Sequence, residues 1–316
     1  MNKIVDQALG LWGLEGAPYK LVAARENAVY RVKRQGNDVA LRVHRKGYRT
    51  DDELGSELAW MAEMSRGGIS VPAPVPLPGG GFLACVDGAQ VDVLTWLSGA
   101  TMTEVLVDLE GTRRLQLFSD LGREMARLHT LSDAWKIPPE FTRVHWDRAG
   151  LLGDAPLWDR FWENPELTQK DRDLFHRFRA AASEDLDKKS ETLDCGLIHA
   201  DLVPANVLVD GDGLKMIDFD DGGYGYRLFD VATALLKHTE AEDFAQIKQA
   251  LIEGYLTTRK LDLTDLDLFL ALRAATYCGW NITRMDEPGG AERNARFVAT
   301  SREFMDRYLG ASSLIQ

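Results

Sequence analysis

Residues 197–220, LIHADLVPANVLVDGDGLKMIDFD, gather His199, Asp201, Asn206, Asp218 and Asp220 into one short, otherwise apolar segment. Carboxylates close to a core are costly unless a metal, a proton or a backbone turn compensates them. Asn206 and Asp218 stand near the two ends of NVLVDGDGLKMIDF, which reads as a hairpin. Hairpin ends return to each other, so an amide oxygen and a carboxylate can face one point in space. That pair suits Mg2+, a hard cation that takes oxygen ligands and completes its shell with waters and phosphates. Asp201, on the loop before the hairpin, is then available to accept a proton or to orient a hydroxyl. Asp210 and Asp212 belong to the DGDG turn, and His199 is expected to hold the loop by hydrogen bonds.

A second candidate pair lies earlier in the chain. Thr50 and Glu53 form a capping box before DDELGSELAWMAEMSRGG, and Leu54, Glu57, Leu58 and Met61 fall on one face of the resulting helix. A glutamate on that apolar stripe demands a partner, and Arg42 of VALRVHR is the natural candidate. The alternative puts Arg42 on the surface of an edge strand and Glu57 at the margin of the stripe. A guanidinium can serve a carboxylate and a phosphate together. Further on, Arg273, Tyr277, Trp280, Asn281 and Arg284 fall on or near one helix face. They would either line a pocket for a small molecule or pack as core with their polar tips satisfied.

These residues need elements to carry them. Up to about residue 96 the spacing mostly suits strands, YKLVAA, AVYRVKR, VALRVHR and the hairpin FLACVDGAQVDVLTW, interrupted by the one capped helix. From Thr101 the period becomes helical, with helices expected near 112–131, 168–187, 228–239, 242–258, 263–285 and 290–309. Short strands are expected within 196–217. The layout is α+β, a small mostly β amino-terminal lobe over 1–96 and a larger mostly helical lobe over 97–316. A formal net charge of −12 argues against nucleic acid or an anionic membrane as partner. Cys85, Cys195 and Cys278 are scattered without metal or disulfide spacing, and no segment is apolar enough to span a bilayer, so a cytoplasmic setting is the default.

The spacing of His199, Asp201 and Asn206, followed by Asp218-Phe219-Asp220, resembles the HRDxxxxN and DFG motifs of protein kinases. Ala200 in place of arginine and Asp220 in place of glycine point away from protein kinases proper. The pattern is closer to the aminoglycoside phosphotransferase and choline kinase-like superfamily, with its HGDxxxxN and downstream IDF or IDW. IDFDDGGYGYRLFDVATAL is similar to homoserine kinase type II-like and hydroxylysine kinase-like members. The resemblance implies a two-lobed protein-kinase-like fold, ATP as phosphoryl donor and Mg2+ as cofactor. It implies Asp201 as catalytic base, Asn206 and Asp218 as metal ligands, and Thr95, Trp96 and Leu97 as a hinge whose backbone recognises adenine. Arg42 stands where a protein kinase carries its phosphate-orienting lysine, with Glu57 as its acid. No glycine triad is present, and a nucleotide-covering loop around Glu26, Asn27 and Ala28 takes its place.

The short DGGYGYRLFD stretch leaves little room for a peptide platform, which favours a small hydroxyl-bearing acceptor. Asp220 and Asp221 could bind an acceptor ammonium, and Tyr277 and Trp280 could line its pocket. For Asp220 a metal contact or plain turn chemistry is an equal alternative. Asp230 either caps its helix or braces the catalytic loop. The expected activity is transfer of the γ-phosphoryl group to a small amine-bearing metabolite of homoserine, hydroxylysine, choline or aminoglycoside type. A catalytically silent nucleotide-binding regulator and an atypical protein Ser/Thr kinase are the competing readings.

Overall fold

The structure is a computed structural model that describes residues 2–24, 27–211 and 213–312. Glu26 of the expected nucleotide-covering loop and Asp212 of the DGDG turn lie outside the described residues. The chain forms two compact units. One combines the residues up to Leu109 with Thr130–Arg143 and Pro204–Asp220, and the other combines Glu110–His129, Val144–Val203 and the chain from Asp221 onward.

The first unit begins with a helix that the strand-like spacing did not suggest, α1 (Asn2–Leu11). Val5, Ala8 and Leu9 recur at helical spacing and pack against Tyr30, Val32, Leu41 and Val93, so tertiary burial stabilises a segment whose local pattern is short. The sheet that follows comprises β1 (Tyr19–Ala24), β2 (Asn27–Val32), β3 (Val39–His44), β4 (Leu83–Val86) and β5 (Ala89–Thr95). Its order is β1-β2-β3-β5-β4, antiparallel throughout. β3 is therefore central and buried along its whole length rather than at an edge. Asp87 and Gly88, both at positive φ, make the tight β4–β5 turn. Between β3 and β4 lies α2 (Asp51–Arg66), started by the reciprocal Thr50–Glu53 capping box. β6 (Ala100–Thr101) pairs with the hairpin strand Val207–Asp210, which in turn pairs with Gly213–Met216. Ile217 N–H donates to Asn206 C=O at 3.0 Å and extends that hairpin to the edge of Asp218.

The second unit is mainly helical, with Gln169–Lys188, Arg227–Leu236, Phe244–Leu256, Leu266–Trp280 and Gly290–Ser312. The helix expected to run to 285 ends at Trp280 and gives way to a 3-10 turn at Ile282–Arg284. Asn281 turns its amide onto Gly290 C=O instead of continuing the helix. A small sheet orders His145–Trp146, Gly223–Tyr226 and Cys195–Ile198. Its middle strand is the GYGY of the motif region. A Cβ at Gly223 would collide with the Val144 carbonyl, so the strand fits only without side chains there. Among the described residues no helix is long and apolar enough to cross a membrane.

Candidate active site

In the first unit, strand register builds an ion cluster. Arg42 and Asp92 are direct cross-strand partners on β3 and β5. Arg42 donates from Nε and Nη2 to the two Asp92 oxygens at 2.9 and 2.8 Å, and from Nη1 to Glu57 Oε1 at 2.7 Å. All three side chains are buried. Glu57 also faces Arg143 Nη1 at 3.5 Å, and His44 Nε2 lies 2.6 Å from Asp92 Oδ2. Burial alone would raise Glu57 and Asp92, but the Arg42 guanidinium, helped by Arg143 and His44 respectively, holds both below their ordinary values. The same carboxylates outweigh desolvation at Arg42, which stays protonated well beyond the ordinary range. Asn27, from the expected nucleotide loop, places its Oδ1 3.1 Å from His44 Nδ1 and so joins this cluster.

The IDFD end of the hairpin lies in the same unit. Arg143 Nη2 donates to the carbonyls of Phe219 and Asp220 at 2.9 and 2.6 Å, and Arg49 donates to Asp220 C=O at 3.0 Å. The Asp220 carboxyl is raised, first by burial and then by Glu57, and its buried Oδ1 has no hydrogen-bond partner among the described residues. Asp218 adopts φ +69°, a left-handed conformation that Asp tolerates better than most residues. Asn206 and Asp218 supply hard oxygen donors at the open end of one hairpin, a set that fits Mg2+ with waters and phosphates as its remaining ligands. Among the described residues no group of three or more His, Cys, Asp or Glu could hold a metal by itself. In the segment expected to act as hinge, Thr95 N–H donates to Ala73 C=O at 2.8 Å and Trp96 N–H to Asp38 C=O at 3.2 Å. Leu97 is the next backbone position.

In the second unit, Asp201 follows Cys195–Ile198 on a loop that Asp230 braces. The Asp230 carboxylate accepts the N–H groups of His199 and Ala200 at 2.8 and 2.7 Å, and His129 Nε2 lies 3.1 Å away. Ala200 sits at φ +64°, where an L-residue costs roughly 1–2 kcal/mol. The Asp230 bonds offset that strain and turn the next residue outward. Arg273 Nη2 donates to Asp201 Oδ1 at 2.7 Å and to Tyr277 Oη at 3.1 Å. About a quarter of the Asp201 side chain stays exposed while that of Arg273 is fully buried. Trp158 stands 6.0 Å from Tyr277 and 6.4 Å from Trp280, centroid to centroid. Asp221 turns its carbonyl to Trp146 Nε1 at 2.8 Å.

The phosphotransferase enzyme family model, APH, matches residues 19–267. The chain belongs to this family. It is 26% identical over 236 residues to the amicoumacin kinase of Bacillus subtilis, covering 74% of this chain and 67% of that one. It is 26% identical over 250 residues to the homoserine kinase of Sinorhizobium fredii, covering 76% and 71%. A solved microcompartment-associated aminopropanol kinase superposes with a TM-score of 0.85, at 29% identity and 98% coverage of both chains. The protein is an ATP-dependent small-molecule kinase with the mixed α+β, protein-kinase-like fold expected from the motifs.

The structure thus brings Arg42 to Glu57 and Asn27 to the same cluster, and brings Asp201 and Tyr277 to one guanidinium. Asp92 lies outside the expected site residues, although an acid between Val91 and Val93 in an apolar strand is a signal of a buried partner. Arg143 lies outside them too, and no local pattern marks it. Arg273 is marked in the sequence only as part of a helix face.

Proposed function

We propose that the protein transfers the γ-phosphoryl group of ATP to the hydroxyl of a small amine-bearing alcohol, with Asp201 as the base. The observation that carries this reading is Asp201 itself, a partly exposed carboxylate oriented through one oxygen by a buried cation. Held in that way, it can accept the acceptor's O–H hydrogen bond in a fixed direction. The proton passes to Asp201 as the acceptor oxygen bonds the γ-phosphorus and the bond to the ADP oxygen breaks. Asn206 and Asp218 would hold Mg2+, which when bound neutralises charge on the phosphates. Arg42 keeps a second N–H on each of Nη1 and Nη2 beyond those given to Glu57 and Asp92, and these would orient phosphate oxygens. ATP would bind residues 1–96 and the adjoining hinge, where Thr95 and Trp96 have their N–H groups engaged, so adenine would take its bond from Leu97.

An amine on the acceptor is supported by two relatives, one named for aminopropanol and one for homoserine. Tyr277 and Trp280 are half-buried aromatics suited to an ammonium, and Asp221 lies close enough to act electrostatically on Tyr277. Asp220, with its unpartnered oxygen, is the other candidate. The test is an ADP-release assay with Mg2+ and ATP against amino alcohols, hydroxy amino acids, choline, sugars and aminoglycosides. The expected result is turnover concentrated in the amine-bearing alcohols and cut to a small measurable residue in Asp201→Asn with ATP binding intact. Normal turnover by Asp201→Asn would sink the assignment.

A further inference from the structure

Arg273 is a larger commitment than an ordinary packing residue. It is fully buried, and helix Leu266–Trp280 places it four residues before Tyr277, hence on the same face. Its guanidinium carbon lies 4.4, 4.6 and 5.3 Å from the ring centroids of Tyr277, Trp158 and Phe229. Nη2 serves Asp201 and Tyr277, while Nε and Nη1 have no hydrogen-bond partner among the described residues. Burying a charge with donors left over is expensive, and an apolar side chain in the same aromatic surroundings would avoid that cost. Burial works against the charge, yet Tyr277 and Asp201 retain it. What the cation does with its engaged nitrogen is therefore the reason to keep it, and that nitrogen points at one oxygen of Asp201.

We propose that Arg273 is a positioning residue for phosphoryl transfer: it clamps Asp201 through Oδ1, with Tyr277 directing the guanidinium, so that the carboxylate meets the acceptor hydroxyl in one orientation. The inference rests on Asp201 being the base. The three rings pack around the guanidinium, and Tyr277 Oη takes a second hydrogen bond from the same Nη2. Because Arg273 acts through the base, its loss acts on kcat and leaves the binding of Mg·ATP alone. A purely structural arginine, by contrast, would lower stability and leave the folded enzyme's turnover unchanged.

The experiment measures kcat, KM for Mg·ATP and thermal stability for wild type, Asp201→Asn, Arg273→Met, Arg273→Lys, Tyr277→Phe and the double variant of Asp201→Asn with Arg273→Met. The acceptor is 1-amino-2-propanol or homoserine, whichever gives the greater ADP release. Arg273→Met is expected to lower kcat by about tenfold to a hundredfold, the scale on which small misplacements of a reacting group act, with KM for Mg·ATP unchanged. Arg273→Lys should recover part of the loss and Tyr277→Phe should show a smaller fall. Arg273→Met should add nothing on the Asp201→Asn background. A wild-type kcat in folded Arg273→Met, or an equal fall on both backgrounds, would overturn the clamp while leaving Asp201 as base. Should Arg273→Met not fold, an unchanged kcat in Tyr277→Phe overturns it. Wild-type kcat in Asp201→Asn, or no turnover of either alcohol by wild type, instead overturns the reading beneath it.

Discussion

Arg42 and Arg273 are both buried guanidiniums, one in each unit, but Arg42 engages all three nitrogens with carboxylates whereas Arg273 uses Nη2 alone. The first is part of a closed ion cluster. Two acids, a second arginine and a histidine share it, and direct cross-strand pairing sets the Arg42–Asp92 contact. The second is a single tether packed among rings. The difference teaches that burial and charge do not by themselves define a role. What matters is how many buried partners would be stranded if the cation left.

The largest effect that could break this contrast is on stability. Arg42→Met strands Glu57 and Asp92 in the core and should cost about 3–5 kcal/mol in urea unfolding. Arg273→Met removes one hydrogen bond each from the partly exposed Asp201 and from Tyr277 and should cost about 1–3 kcal/mol. Equal losses would show that the two arginines are structurally equivalent after all.

Acid should also separate the units. Burial, reinforced by Arg227, pushes the His129 imidazole beside Asp230 down to about 4, and burial likewise takes His238 to about 4. An unfolded chain binds these protons near 6.5 while the folded chain does not. The folded state therefore loses stability as pH falls from about 6.5 towards about 4, and the loss is complete below that. Glu57 and Asp92 are depressed acids, so their contribution persists down to their ordinary values of 4.5 and 3.8 and fades only as pH falls further, through the folded values. Asp220, raised by burial, works in the opposite direction within the first unit. Hydrogen exchange corrected for intrinsic rates should show the His199 and Ala200 amides losing protection between pH 7 and 5 while β3 keeps its own. Simultaneous loss would contradict the assignment.

The smallest effect refines the first unit. Thr50→Ala removes the cap of the helix that delivers Glu57 and should cost about 1 kcal/mol, read as a shift in the unfolding midpoint with an unchanged slope.

Much of the framework was legible in the residues. The capping box, the Asp87-Gly88 turn, the 207–216 hairpin and most helices appear where their spacing placed them. α1 did not, because it is short and owes its stability to the sheet it covers. Arg42 with Glu57 was legible because a glutamate on an apolar stripe needs a cation. Asp230 was weighed as either a cap or a brace, and its bonds to His199 and Ala200 make it a brace.

The amino-acid sequence alone determined the motif spacing, the α+β order of elements and the turns, since each depends on hydrogen bonds and torsions within a few residues. Only the tertiary structure decided the partners: Asp92 for Arg42 across 50 residues, Arg273 for Asp201 across 72, and Asp230 for the His199 amide across 31. Those pairings follow from strand register and from the rotation of helix Leu266–Trp280 about its axis. Packing of the whole core sets both, and no local stretch of chain encodes either.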